Sequence, residues 1–170
     1  MKIKNIKTGR ILFVLGGMLI GTLLLASAPG SRAEEQAKSP PLYDETADGS
    51  KQIVDALAQA KKENKRVLLQ FGANWCGWCH KLHKTMETDA AVAEKLKSDY
   101  VVVLVDVNKE HNRKIIEGYH ATGTGIPVIV VLDADGKQLT TKDTNQLEEG
   151  DHHNPKKILD FLNEWAVKRA

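Results

Sequence analysis

The chain contains only two cysteines, and just two residues separate them in the segment Cys76-Gly77-Trp78-Cys79. Two cysteines are too few for a scaffold held together by disulfides, so we expect a domain stabilised by a hydrophobic core. The pair follows a short apolar run at 66–71 (RVLLQF), which is typical of a buried strand. It precedes a segment in which apolar residues recur at helical spacing. The sequence therefore places a dithiol where a strand gives way to a helix.

The composition is that of an ordinary globular domain. Of the 170 residues, 42% are hydrophobic and 27% are charged, which excludes collagen, coiled-coil, solenoid and wholly disordered classes. The first 33 residues hold five cations and no acidic residue, so the other residues carry 19 basic and 22 acidic side chains. Affinity for nucleic acid depends on clustered cations, and we therefore expect no nucleic-acid partner.

The N-terminal segment predicts export. Residues 1–10 are basic, 11–26 form an apolar run, and Ser31-Arg32-Ala33 puts small residues at the positions that a signal peptidase reads. We predict a signal peptide over residues 1–33, cleaved after Ala33, with a competing site after Ala28. The alternative is an uncleaved inner-membrane anchor, but the apolar run is shorter than the ~20 residues that a spanning helix needs. The prediction is a periplasmic or secreted protein.

Residues 34–48 are polar, contain Pro40-Pro41 and show no periodicity, so we predict a flexible linker there and a domain over 49–170. Helix and strand patterns then alternate, with a polar loop over 141–154 before the last helix. Such an order predicts an α/β domain whose mixed β-sheet is covered by helices on both faces. The predicted helices cover 49–64, 79–97, 112–119 and a segment from Pro155 to Trp165, and the predicted strands cover 66–71, 100–107, 127–132 and 137–140.

The spacing of the two cysteines suits thiol chemistry. A thiol at a helix N-terminus faces free backbone N–H groups and the positive end of the helix dipole, which favour its thiolate. The first cysteine, Cys76, is therefore the predicted nucleophile. Cys79 lies one turn later, close enough to resolve a mixed disulfide by intramolecular attack. The dithiol is itself the redox centre, so we expect no organic cofactor and no metal.

The segment Phe71-Gly72-Ala73-Asn74-Trp75-Cys76-Gly77-Trp78-Cys79 resembles the active site of the thioredoxin superfamily. Gly125-Ile126-Pro127, just before a predicted strand, resembles the cis-proline loop of that family. The resemblance covers about residues 50–168 and implies a thioredoxin fold, a cis Pro127, and pairing of the Ile126 backbone with an extended client. It assigns client binding to five residues: Trp75, Gly77, Trp78, Ile126 and Pro127.

The resemblance also implies an activity and its partners. It indicates a thiol–disulfide oxidoreductase that acts on disulfide-containing or dithiol client proteins and exchanges electrons with a membrane thiol donor or acceptor. The direction of the reaction stays open, because residents of an oxidising compartment include both oxidants and reductants.

Two positions depart from the family pattern. Gln70 stands where the cytosolic reductases of the family carry a buried aspartate, and Leu104 stands where they carry its lysine partner. Both changes remove an ionisable group that can take a proton from Cys79. Water, a backbone group or His80 would have to take part in the proton transfer from Cys79 instead. The Gly77-Trp78 dipeptide also matches neither the reductases nor the oxidants of the family.

Three alternatives use the same residues. Cys76-x-x-Cys79-His80 also matches the attachment motif of c-type haem, and a haem protein would have a Soret band in its absorbance spectrum. Adding His83 to that set gives four donors for zinc, although closed zinc sites usually combine two separated segments. The fold could also serve as a binding or chaperone module with a static disulfide, which would not reduce insulin. We expect His152-His153 in the polar loop to be solvated.

Overall fold

The structure is a computed structural model, and it describes residues 41–123 and 125–168. The predicted signal peptide and residues 34–40 of the predicted linker lie outside the described residues. Within the described part of the chain, no helix is long and apolar enough to cross a membrane.

The order of the elements follows the predicted alternation of helices and strands. The helices are α1 (Gly49–Glu63), α2 (Gly77–Thr88), α3 (Ala90–Asp99), α4 (Glu110–Gly118) and α5 (Pro155–Trp165), with a short 3₁₀ helix at Thr144–Leu147. The strands are β1 (Arg66–Gly72), β2 (Tyr100–Asp106), β3 (Val128–Leu132), β4 (Gln138–Asp143), β5 (Glu148–Glu149) and β6 (His152–His153).

The central sheet has the strand order β2-β1-β3-β4. Strand β1 runs parallel to β2 and antiparallel to β3, and β4 runs antiparallel to β3, so the sheet is mixed. Alternate side chains of β1 point to opposite faces, because successive side chains of a strand do so. Leu69 and Phe71 pack with α1 and α4, whereas Leu68 packs with α2, α3 and α5. The predicted α/β architecture, a mixed sheet with helices on both faces, is confirmed.

The helix predicted over 79–97 is wrong in its extent, because the chain forms two helices that meet at Asp89. This residue has extended backbone angles (φ −81°, ψ 117°), and its carboxylate accepts a hydrogen bond from the Val92 N–H at 3.0 Å. The first of the two helices starts at Gly77 rather than at Cys79. A side chain that caps a helix satisfies an N–H that the new helix cannot pair internally, so Asp89 starts α3.

The loop predicted over 141–154 is also more ordered than its composition suggests. Strand β4 continues to Asp143, the 3₁₀ helix follows, and β5 and β6 form a small antiparallel hairpin that lies against α2. This hairpin places β6 beside the helix that carries the cysteines.

Replacing Asp89 with alanine should lower the free energy of unfolding by about 0.5–2 kcal/mol, because the cap of α3 is lost. Urea denaturation measures the change. The matched control is Asp160→Ala, which removes an exposed carboxylate that pairs with Lys156 on the surface of α5 and should change stability by less than about 0.5 kcal/mol. Equal losses in the two variants would contradict a capping role for Asp89.

Candidate active site

Cys76 and Cys79 form a disulfide at the start of α2. Cys76 is the N-cap of this helix, and its sulfur accepts a hydrogen bond from the Cys79 N–H at 3.1 Å. The Cα atoms of the pair lie 5.3 Å apart. Cys76 is 6% exposed and Cys79 is fully buried, so only the first of the two cysteines reaches the surface. The structure thus places Cys76 at a helix N-terminus, as the sequence predicts.

The loop before β3 lies directly beside Cys76. The Ile126–Pro127 peptide bond is cis, as the resemblance predicts. The Cys76 sulfur lies 3.6 Å from the Ile126 carbonyl oxygen. Thr144, at the start of the 3₁₀ helix, donates a hydrogen bond from its hydroxyl to the Pro127 carbonyl at 2.5 Å. This bond ties the loop to the 3₁₀ helix.

The residues around the cysteines differ in exposure. Trp75 is 70% exposed, and its indole N–H donates to Asn108 Oδ1 at 3.3 Å. A Cβ built on Gly77 would meet no atom within 4 Å, so the surface beyond this residue is open. Trp78 is half-buried, with the Lys81 ammonium 4.4 Å from its ring centroid. An apolar rim with an open approach therefore surrounds Cys76.

The predicted solvated pair His152-His153 is wrong for His153. His152 is exposed, but His153 is fully buried and meets the Trp78 ring edge-on, with the ring centroids 5.3 Å apart. The hairpin of β5 and β6 places this ring against α2. No local sequence pattern predicts this contact. Burial, with the nearby Lys81 and His152, lowers the pKa of His153 to about 4.

The depressed pKa of His153 should make the fold sensitive to acid. An unfolded histidine titrates near pH 6.5, so between pH 6.5 and about 4 the unfolded chain binds more protons than the folded one. The free energy of unfolding should therefore fall on acidification through this window, by up to about 3 kcal/mol. Urea denaturation at pH 4.0–7.0 measures it.

His153→Phe keeps a ring against Trp78 and should flatten this part of the pH dependence. The matched control is His152→Gln, which removes only the weakest of the three causes that lower the pKa of His153 and should change the profile much less than His153→Phe does. Profiles of the native protein and His153→Phe that superimpose would contradict the assignment.

Tyr43 forms one cluster of buried residues with Cys76 and Cys79. Leu104 packs against it from β2, and Gln70 pairs with Leu104 in the register of β1 and β2. Gln70 is fully buried, and its amide N–H donates to the Tyr43 hydroxyl oxygen at 2.7 Å. The position of the family's buried aspartate is thus occupied by an amide bonded to a phenol.

Residues 41–48, predicted as part of a flexible linker, are instead fixed to the domain. Tyr43 is fully buried, its backbone N–H donates to Asn74 Oδ1 at 2.8 Å, and its carbonyl accepts from the Asn74 amide at 3.0 Å. Glu45 accepts a further bond from that amide and forms an ion pair with Lys109. The prediction missed this contact, and its signal was the apolar Leu42-Tyr43 pair in a polar segment.

The two histidines of the zinc alternative contact other groups and not the cysteine sulfurs. His80 lies 2.8 Å from the Asn74 carbonyl oxygen through Nε2, and His83 pairs with Glu87 on its own helix. Among the described residues, no three histidine, cysteine or acidic side chains are grouped to hold a metal ion. Met86, which follows the haem-like motif on the same helix, packs in the core.

The fold and this cysteine pair define a class. A mixed sheet with helices on both faces, and a Cys-x-x-Cys disulfide at a helix N-terminus beside a cis-proline loop, is the arrangement of a thioredoxin-fold thiol–disulfide oxidoreductase. A family model described as a thioredoxin-like domain matches residues 53–142. The chain belongs to the thioredoxin-like family of thiol–disulfide oxidoreductases.

Individual relatives agree with this assignment. A solved disulphide isomerase from Xylella fastidiosa Temecula1 is similar at 34% identity and a TM-score of 0.64, over 72% of this chain and 95% of that chain. The thiol:disulfide interchange protein DsbD of Actinobacillus pleuropneumoniae serotype 5b is 34% identical over 94 residues, 51% of this chain and 16% of that protein. A protein disulfide-isomerase of Triticum aestivum is 28% identical over 122 residues, 72% of this chain and 23% of that protein. The chain thus spans less than a quarter of the length of these two curated relatives.

Proposed function

We propose that this protein is an exported thiol–disulfide oxidoreductase that reduces or exchanges disulfides in extracytoplasmic client proteins. The observation that carries the proposal is the placement of the Cys76–Cys79 disulfide at the N-terminus of α2, beside Ile126 and cis-Pro127. Names of similar proteins, disulphide isomerase and thiol:disulfide interchange protein, support the same chemistry.

Cys76 is the nucleophile in this proposal. After reduction its thiolate would receive the hydrogen bond that the Cys79 N–H now donates to its sulfur, together with the field of the helix N-terminus. Both interactions favour the charged form, which is the reactive one. Cys79, with no exposed surface, is out of reach of a client disulfide and is suited to intramolecular attack.

The cycle has two exchanges. The Cys76 thiolate attacks one sulfur of a client disulfide, forming a mixed disulfide and releasing the other client sulfur as a thiolate. Cys79 then attacks the Cys76 sulfur, and the client leaves reduced while the protein returns to the oxidised state. Run backwards, the same two steps oxidise a client dithiol. A membrane thiol donor is the proposed source of electrons for the reducing direction.

A client segment would dock on the rim around Cys76. The exposed indole of Trp75 offers an apolar surface, and the open space over Gly77 leaves room for a chain to approach. The half-buried Trp78 adds to this rim. The backbone of Ile126, whose carbonyl lies 3.6 Å from the Cys76 sulfur, is placed to pair with an extended client. Pro127 fixes the direction of that backbone.

Export rests on the N-terminal sequence. The basic residues, the apolar run and the small residues before Ala33 support a signal peptide over residues 1–33 and a periplasmic or secreted domain.

Catalysis of insulin reduction by dithiothreitol tests the proposal. We expect turbidity from insulin B chain to appear earlier with the protein than with dithiothreitol alone. Bound insulin without any acceleration would contradict the proposal and favour a binding or chaperone module with a static disulfide. A Soret band in the absorbance spectrum of the same sample would favour the haem alternative.

A further inference from the structure

The release step of the proposed cycle needs a thiolate at a buried sulfur. Cys79 is fully buried, and burial disfavours the charged form of a thiol. The two strand positions beneath it, Gln70 and Leu104, carry no ionisable group. Some other group must therefore stabilise the Cys79 thiolate.

The Tyr43 hydroxyl lies close to the Cys79 sulfur. Tyr43 packs in one buried cluster with Cys76 and Cys79. A Cβ built on Gly72 would collide with the Tyr43 hydroxyl and lie 2.8 Å from the Cys79 sulfur. The hydroxyl and the sulfur therefore border the same small space over Gly72, and only glycine at that position leaves the space to them.

The hydrogen bond from Gln70 makes the Tyr43 hydroxyl a donor toward other groups. The Gln70 amide N–H donates to the Tyr43 oxygen at 2.7 Å, so the phenolic O–H keeps its own hydrogen for another acceptor. Burial raises the pKa of Tyr43 above its usual range, so the group remains a protonated donor. A donor polarised by a second hydrogen bond donates more strongly.

Few other titratable groups face this space. Asp106 pairs with Gly72 in register, so its carboxylate lies on the same face of the sheet. One of its oxygens accepts from the backbone N–H groups of Asn108 and Lys109. Asp106 adds a smaller contribution to the raised pKa of Tyr43, after burial. His80 on α2 is directed to the Asn74 carbonyl instead.

We propose that the Tyr43 hydroxyl, oriented by Gln70, donates the hydrogen bond that stabilises the Cys79 thiolate when Cys79 releases the client. This inference rests on the proposed function and assigns a residue to its second exchange. In that exchange the Cys79 S–H bond breaks, a Cys79–Cys76 S–S bond forms and the Cys76–client S–S bond breaks. Cys79 first loses its proton to solvent and is oxidised, Cys76 remains in a disulfide, and the client sulfur is reduced and leaves as a thiolate that takes up a proton from solvent. Tyr43 is not consumed.

The two exchanges can be timed separately with the reduced protein and one equivalent of 5,5′-dithiobis(2-nitrobenzoate). Attack by Cys76 releases a first thionitrobenzoate, and attack by Cys79 releases the second, both followed at 412 nm in a stopped-flow instrument at pH 5–10. Cys79→Ser identifies the first phase because it lacks the second.

Tyr43→Phe retains the ring and removes only the hydroxyl. The first phase should stay within about twofold of the native rate, because Cys76 keeps its own donors. The second should slow about tenfold at pH 7, with its pH midpoint raised by about one unit, since hydrogen bonds to charged groups are the strong ones. A merely structural role of Tyr43 would not move that midpoint.

Tyr100→Phe is the matched control. Tyr100 is also a buried tyrosine, and its hydroxyl donates to the Leu162 carbonyl at 2.7 Å, away from the cysteines. Both of its phases should match those of the native protein. Gln70→Met keeps the Tyr43 hydroxyl and removes its orienting amide, so it should slow the second phase less than Tyr43→Phe does. It also provides the test if Tyr43→Phe fails to fold.

A native second phase and a native midpoint in Tyr43→Phe, or in Gln70→Met where that variant stands in, would overturn the assignment of Tyr43. Absence of both phases from the reduced native protein would contradict the proposed function itself. The two failures are therefore distinguishable.

Discussion

Cys76→Ser is expected to abolish the reduction of insulin. Serine has no thiolate, so no mixed disulfide with a client can form, and the remaining Cys79 is fully buried. The rate of insulin precipitation should fall to that of dithiothreitol alone. Measurable catalysis by Cys76→Ser would show that Cys76 is not the nucleophile.

Cys79→Ser should give the opposite phenotype. The Cys76 thiolate still attacks a client, but no resolving thiol follows, so covalent complexes accumulate. These should appear on non-reducing gels and disappear on addition of dithiothreitol. The double variant Cys76→Ser/Cys79→Ser is the control and should trap nothing. Equal trapping by Cys76→Ser would contradict the assignment of Cys76 as the nucleophile and Cys79 as the resolving cysteine.

Tyr43→Ala is expected to lower the free energy of unfolding by about 3–5 kcal/mol, the usual cost of removing a large buried aromatic side chain. The residue is fully buried in one cluster with the two cysteines, and its hydroxyl oxygen accepts a hydrogen bond from Gln70. Urea denaturation followed by circular dichroism measures the loss.

Two variants serve as controls for that measurement. Tyr43→Phe keeps the ring and should lose about 1–3 kcal/mol, because the buried Gln70 amide loses its hydrogen-bond partner. Val54→Ala removes methyl groups from an exposed position of α1 and should change stability little. A loss below about 1 kcal/mol in Tyr43→Ala would mean that residues 41–48 contribute nothing to the fold and are the flexible linker that their composition predicts.

The sheet and the reactive pair could be predicted because their signals are local. The runs at 66–71 and 100–107 are long and apolar, and they became β1 and β2. The position of Cys76 at the start of a helix follows from the strand before it and the helical spacing after it. The family resemblance supplied the cis bond before Pro127, which local patterns do not indicate.

The break at Asp89 left a weaker signal. Leu82 and Met86 are four residues apart, as are Val92 and Leu96, but Met86 and Val92 are six residues apart. That gap departs from the repeat of a continuous helix. Together with the capping aspartate, it marks two helices.

Tyr43 and His153 could not be predicted because their burial depends on distant parts of the chain. Tyr43 is held by Asn74 and Gln70, which lie 31 and 27 residues away. His153 is covered because the hairpin of β5 and β6, whose strands have two residues each, folds against Trp78. Neither contact produces a periodic pattern in the sequence: the apolar Leu42-Tyr43 pair is a weak local signal for the first, and His153 gives none.

An equilibrium redox titration of the Cys76–Cys79 pair tests whether this disulfide is redox-active. The protein is equilibrated in dithiothreitol or glutathione buffers of stepped potential, and free thiols are counted by alkylation. We expect a single two-electron transition in which both thiols appear together, between about −270 mV, typical of a reductant, and about −120 mV, typical of an oxidant. A disulfide that stays oxidised throughout this range would contradict it and leave a static crosslink in a binding module.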